Sequence, residues 1–222
     1  MKNMNAGLPV SSGFFLDFQG PFRSAAEIIL ASASPRRQAL LTSLGICFQV
    51  IPARFREPAP DPGQVPEDYA LFLAGEKALE VAEKKPDSLV IAADTIVVLE
   101  ETVMGKPGSD AQALEMLKRL QGNVHLVITA VSIKSFARRV EKSFFCRTVV
   151  EMVQATDDIL AQYVQTGEPA DKAGAYAIQG LGGFLVKSVN GSYTNVVGFP
   201  LAEVWTALLE MNAIVLAGEG PL

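Results

Sequence analysis

A carboxylate stands in unlikely company: Asp94 interrupts the run VIAADTIVV, whose other residues are nearly all apolar. An isolated buried carboxylate is costly unless it is paired, bound to a metal or set at a water-filled cleft. Asp94 therefore reads as a metal ligand or general base, the alternative being a structural ion pair. A second acid, Glu57, lies in the proline-rich stretch RFREPAPDPGQVP, from where it can face the same cleft. Cations accompany them: Arg36 and Arg37 after ASASP, Lys77 in GEKALE, Lys106 in GKPG and Lys172 in DKAGAY. Hard oxygen ligands beside phosphate-binding cations point to Mg2+ or Mn2+ and to phosphoryl chemistry. The stretch KAGAYAIQGLGG adds small residues and Gln179 where a flat ring or a phosphate can approach the backbone.

The two arginines also break a local rule. Ser34 and Pro35 have the signature of a helix start, with the serine expected to cap and the proline at the first helical position. Cations are unfavourable at that end of a helix unless an anion sits between them and the exposed amides. A bound anion is thus expected there, and strain or mobility in the turn without it.

The elements that must carry these residues follow from periodicity and punctuation. An apolar strand from Glu27 to Ala33 leads into a helix that Gly45 ends, and ICFQVIPA reads as a second strand. The proline-rich loop can continue neither element, and a helix begins near Pro66. SLVIAADTIVVL is a buried strand, and Asp110 to Leu120 an amphipathic helix. VHLVITAVSIKSF and VEKSFFCRTVVEMV form a long antiparallel pair, followed by a helix capped by Thr156 and stopped by Gly167, then a glycine-rich segment and a last helix around LAEVWTALLEM. With no repeat and no dividing linker, the class is α/β: a mixed central sheet with flanking helices.

Bulk properties narrow the partners. A net charge of −5 over 222 residues repels a nucleic acid polymer, so anion binding must come from local cations, and a small phosphorylated ligand fits best. The apolar stretch around Phe14 to Phe18 is too short for a signal-peptide core, and no segment reaches a membrane span, so a cytoplasmic protein without membrane association is expected. Cys47 and Cys146 lie in apolar runs and read as buried thiols. His125 is the single histidine, which excludes a multi-histidine zinc site and leaves it a satisfied structural role in a strand. There is neither a Walker loop nor a GxGxxG motif.

Taken in order, ASASPRRQALL, GEKALEVA, VIAADTIVV, GKP, HLVITAVSI, DKAGAYAIQGLGGFLV and NGSYTNVVGFPLAEV resemble the Maf family of nucleoside triphosphate pyrophosphatases, from about Glu27 to Met211. Arg-Arg after Ser-Pro and the KAGAYAIQG stretch are similar to the branch acting on dTTP and UTP. The resemblance implies a Maf/ITPase-like fold with two lobes around a deep cleft, frequently a homodimer, and metal-dependent hydrolysis of a nucleoside triphosphate to monophosphate and pyrophosphate. Carried over by motif, Ser32, Arg36 and Arg37 would hold the nucleotide, Lys77 and Lys106 would contact phosphates, and Gln179 would lie beside the base. Glu57 and Asp94 would serve the metal and the attacking water, with Asp94, Glu57 and Lys106 as the catalytic set. Arg56 stands beside Glu57 where relatives often carry a second acid. The expected limits are an N-terminal extension over 1–26, expected to be disordered, one catalytic domain over 27–213 and a tail over 214–222. A nucleotide-binding regulator of septum formation, or the same enzyme acting on a modified purine such as 7-methyl-GTP, are the alternatives.

Overall fold

A computed structural model describes residues 20–217. In chain order its first elements are β1 (Phe22–Ser24), β2 (Ile28–Leu30), α1 (Pro35–Thr42), β3 (Gln49–Val50), α2 (Pro66–Lys84), β4 (Leu89–Leu99), β5 (Thr102–Met104) and α3 (Asp110–Leu120). Then come β6 (Val124–Ser135), β7 (Val140–Met152), α4 (Asp157–Gln165), three short 3-10 turns between Glu168 and Leu185, β8 (Val186–Asn190), α5 (Tyr193–Val197), α6 (Leu201–Glu210) and β9 (Ile214–Leu216).

The main sheet runs β3-β2-β4-β6-β7-β8, with β5 added to the end of β4. β2 lies parallel to both β3 and β4, and the remaining pairings are antiparallel, so the sheet is mixed as expected. β4 is the pivot. Its side chains alternate between two buried layers. Val90, Ala92, Ile96 and Val98 face the clusters built with α2, through Leu73, Ala74, Ala78 and Val81. On the opposite face, Ile91 and Ala93 join a cluster with α1 and α6, whereas Val97 and Leu99 join a separate one with α3 and α4. Those two clusters are the lobes, and the cleft opens where they part.

Several expected boundaries shift. The first strand is Ile28–Leu30 rather than Glu27 to Ala33, because its ladder ends where the chain turns into α1. ICFQVIPA contributes only Gln49–Val50, an edge strand matched to β2 over two residues. α1 ends at Thr42, three residues before Gly45, whose positive φ of 71° completes the turn. At the limits expected for the domain, β1 and β9 pair antiparallel, Phe22 opposite Leu216 and Ser24 opposite Ile214. Residues on both sides of the expected 27–213 span therefore belong to one small sheet, and Phe22 and Ile214 pack with Trp205 and its neighbours. The rest of the expected extension, through residue 19, and the tail from 218 lie outside the described residues.

Neither Ser34 nor Thr156 caps its helix through its side chain, although both occupy the N-cap position. The caps that do form are Ser109 on Gln112 and Ser192 on Asn195. The cysteines are not buried: Cys47 is exposed, and Cys146 is half-buried on β7 with its thiol 3.7 Å from Glu203 Oε1. Burial and that neighbouring carboxylate push the Cys146 thiol up to about 11.

One buried polar residue knits the sheet beneath the cleft. Asn195 in α5 accepts from the Thr129 amide at 3.1 Å and donates to the Val127 carbonyl at 3.0 Å and to Thr148 Oγ1 at 2.8 Å. It thereby joins β6 to β7 at a point where Thr129, Thr148 and Asn195 are all fully enclosed. Replacing Asn195 by Ala strands these partners without water, and the expected loss is about 3 kcal/mol of folding free energy. Equilibrium denaturation at neutral pH checks it.

Candidate active site

The unlikely acid has a partner. Asp94 points to the α2 side of β4, between Ala92 and Ile96, and Lys77 of α2 reaches it at 2.5 Å from Nζ to Oδ1. The same ammonium donates to Glu57 Oε1 at 2.6 Å. One lysine thus joins both predicted acids, and its side chain is 13% exposed against 9% for Asp94 and 37% for Glu57. Such enclosure makes the pair interdependent, since removing one charge leaves the others poorly solvated. Burial would raise the Glu57 carboxyl; its hydrogen bond and attraction to Lys77, helped by Lys106 and Arg37, hold it below the usual carboxylate range instead.

The proline-rich loop is held in place well enough to present Glu57. Tyr69 in the first turn of α2 donates to the Pro58 carbonyl at 2.8 Å, Phe55 meets Phe72 edge-on, and the Arg54 amide donates to Glu80 at 2.7 Å.

The arginine puzzle resolves differently from expectation. Arg37 donates through Nε to the Gly198 carbonyl at 2.8 Å, through one terminal nitrogen to Thr95 Oγ1 at 3.0 Å and through the other to Ser32 Oγ at 3.4 Å. The turn needs no ligand to satisfy this side chain, and Ser34 has ordinary extended backbone, so the expected strain is not found. Protein oxygens stand in for the anion. Burial lowers the Arg37 guanidinium from its ordinary value, with the charge of Asp94 opposing that effect. Beyond Arg37, the network continues inward: Thr95 Oγ1 meets Thr129 Oγ1 at 2.9 Å, and Thr129 donates to the Asn195 carbonyl. Arg36, by contrast, makes no hydrogen bond or ion pair among the described residues, and neither does Lys106. Of the cations around the cavity, these are the two left available to a polyanion.

Together these residues surround a cavity of about 390 Å³. One wall is the β2–α1 turn from Ala31 to Arg37 with Gly198, the floor is Asp94, Thr95 and Val127, and the far wall is Lys106, Asp171 to Ala173, Tyr176 and Ile178. Seven expected residues therefore meet: Ser32, Arg36, Arg37, Glu57, Lys77, Asp94 and Lys106. Gln179 does not line the cavity; it is exposed, one residue beyond Ile178. Lys172 does line it, paired with Asp171. Asp171, Thr95 and Tyr176 escaped the sequence reading. Thr95 was recoverable, since its neighbour Asp94 marks the strand; Asp171 and Tyr176 lie in a glycine-framed turn whose path periodicity does not reveal.

The group of residues could hold a divalent ion in one way. No cluster of three or more acidic, histidine or cysteine ligands exists among the described residues. Two carboxylates that share one ammonium fit an ion that brings its remaining oxygen ligands with a phosphate chain, which is the habit of Mg2+.

Known proteins resemble this chain over most of its length. A family profile described as Maf-like protein matches residues 27–211. The dTTP/UTP pyrophosphatase of Nitratidesulfovibrio vulgaris is 47% identical over 195 residues, covering 88% of this chain and 92% of that protein. Those of Syntrophus aciditrophicus and Geobacter metallireducens are 41% and 46% identical, covering 87% and 85% of this chain and 94% and 98% of their own lengths. The solved structure of the Staphylococcus aureus Ham1 protein overlaps 58% of this chain and 73% of its own at 18% identity with a TM-score of 0.37, too loose a superposition to argue from.

Behind the far wall, the single histidine is only half satisfied. His125 Nε2 lies 2.8 Å from the Tyr176 hydroxyl, while Nδ1 is buried without a partner. Burial lowers its pKa to about 4. The folded chain keeps it neutral down to that value, whereas the unfolded chain takes up a proton near the usual 6.5. Protonation thus favours the unfolded state between those values, and stability falls as pH drops from 6.5 towards 4, by up to about 3 kcal/mol. In His125→Gln this contribution should be absent; denaturation curves between about pH 6.5 and 5.5, above the range in which the carboxylates titrate, measure it.

Proposed function

Because this chain belongs to the Maf family, we propose that it is a nucleoside triphosphate pyrophosphatase that hydrolyses dTTP and UTP to the monophosphate and pyrophosphate. The observation that carries the reading is the pair of carboxylates on one lysine, facing two uncommitted cations across a cavity of nucleotide size. The role is one of clearing unwanted nucleotides from the pool.

In this reading Arg36 and Lys106 take the phosphate chain, with Arg37 and Ser32 shaping the pocket at the open start of α1. Lys77 divides its charge between the carboxylates and the incoming phosphates. Asp94 orients a water and accepts its proton as the water oxygen bonds to the α-phosphorus. The bond from that phosphorus to the bridging oxygen breaks, and pyrophosphate leaves with the electron pair, its charge met by the lysine and arginine side chains. Asp94 and Glu57 are the residues that would hold Mg2+ or Mn2+, which supplies charge neutralisation to the phosphates when bound. Gln179 sits just outside the wall that would meet the base. A homodimer in the cytoplasm accompanies this reading. No helix among the described residues is long and apolar enough to cross a membrane.

Pyrophosphate release from dTTP, UTP, CTP, GTP, ITP and 7-methyl-GTP with Mg2+ tests it: dTTP and UTP should lead the series. Preference for 7-methyl-GTP would move the substrate to a modified purine, and no release from any would favour a nucleotide-binding regulator. Asp94→Asn should lower kcat by about 10³-fold while nucleotide binding stays measurable by calorimetry. Turnover at the native rate in that variant reassigns the base. Chelation with EDTA should abolish turnover, and added Mg2+ or Mn2+ should restore it.

A further inference from the structure

The far wall of the cavity ends in a loop whose tip is held from behind. Ala177 to Gly182 leaves the wall after Tyr176 and returns as a 3-10 turn, carrying Ile178 into the cavity and Gln179 beside it. Both flanks of the tip fasten to one pair of side chains outside the cavity. On the way out, the Ala177 amide donates to the Tyr163 hydroxyl at 3.2 Å. On the way back, the Leu181 amide donates to Glu168 Oε1 at 2.9 Å and the Gly182 amide to Oε2 at 2.8 Å. Tyr163 closes the ring by donating its own proton to Glu168 Oε2 at 2.8 Å.

The fit leaves no slack. A side-chain carbon on Gly180 would stand 2.2 Å from Glu168 Oε1, and one on Gly182 would stand 2.3 Å from the Tyr163 hydroxyl. Gly180 also holds a φ of 149°, in the region that favours glycine. Tyr163 is fixed on α4 in the core of its lobe, and Glu168 follows the positive-φ Gly167 that ends the helix. Tyr176, just before the loop, is anchored independently by His125. Between these pins only the Ile178–Gly180 tip is left to meet a ligand.

We propose that Glu168 and Tyr163 are positioning residues that set base selectivity by fixing, from outside the cavity, the loop tip that carries Ile178 into it. The inference rests on the nucleotide reading of the cavity. A hydrogen bond from a base edge is lost when its partner moves by a fraction of an ångström, whereas phosphate binding by Arg36 and Lys106 does not run through this loop. The clamp therefore acts on which base is accepted and leaves the hydrolytic groups alone.

Steady-state kinetics of Tyr163→Phe and Glu168→Gln with dTTP, UTP, CTP and GTP test this. KM for dTTP and UTP should rise about tenfold, the factor one lost hydrogen bond supplies, with kcat at saturation within about threefold of the parent. The ratio of kcat/KM for dTTP over CTP should fall by a similar factor. A merely structural pair would lower the melting temperature or the active fraction, scaling kcat alike for every nucleotide with KM and the ratio unchanged; that outcome overturns the proposal. If Glu168→Gln does not fold, Tyr163→Phe alone decides, since it removes only a hydroxyl. An inactive parent chain would instead strike down the reading of the cavity, and the clamp with it, whereas an active parent with unchanged variants strikes down the clamp alone.

Discussion

A single ammonium between two carboxylates is the constraint around which this molecule is arranged. Asp94 occupies a position on β4 where every neighbour on its face is apolar, and it is tolerable there only because Lys77 arrives from α2 with a full charge. That requirement fixes how α2 crosses the sheet. It also explains the small side chains on either side: Ala74 and Ala78 on the helix and Ala92 on the strand let the two elements approach closely enough for the lysine to reach. Glu57 then completes the charge balance, which requires the proline-rich loop to be pinned by Tyr69 and Glu80 and not to hang in solvent.

The opposite face of β4 solves a different problem. There Arg37 is bound to the protein by every part of its guanidinium, and its hydrogen bonds run through Thr95 and Thr129 to the enclosed Asn195. A preorganised cation of this kind does not have to be ordered when a ligand arrives. Arg36, one residue earlier and without such partners, is the uncommitted half of the pair. Two adjacent arginines thus do different work, one as part of the wall and one as a hand extended from it.

Much of this was legible in the sequence because burial and chemistry conflicted in it. Asp94 and the Arg36–Arg37 pair each violate a local preference, and the residues that resolve the violations are nearby in the fold. The long elements followed from their periodicity: β4, β6, β7, α2 and α3 all appear where the apolar spacing places them. What stayed hidden lacks periodicity or depends on distant partners. The β1–β9 pair is three residues long on each side and joins segments from the two ends of the described chain. Asn195 looks like a turn residue in NGSYTNVVGFP, and nothing local betrays that its side chain crosses two strands. Ser34 carries every outward sign of a cap and does not act as one; only its backbone amide is engaged, donating to Ser32 Oγ. Gln179 was placed by resemblance, and the loop that carries it turns the side chain outward one step past the wall.

Asp94 and Thr95 are consecutive, and so they necessarily face opposite sides of one strand. Asp94 stands opposite Ala130 and Thr95 opposite Thr129 in the long ladder with β6. The ladder works as an index that keeps an acid on the lysine side and a hydroxyl on the arginine side. Drawing β4 back by one residue would put Thr95 in the place of Asp94 and Ile96 in the place of Thr95, leaving Lys77 facing a hydroxyl and Arg37 facing a hydrocarbon. A single-residue deletion upstream in β4 is therefore no local defect for this chain. It would undo both halves of the site in one step, and evolution can lengthen or shorten the loops around this strand far more freely than the strand itself.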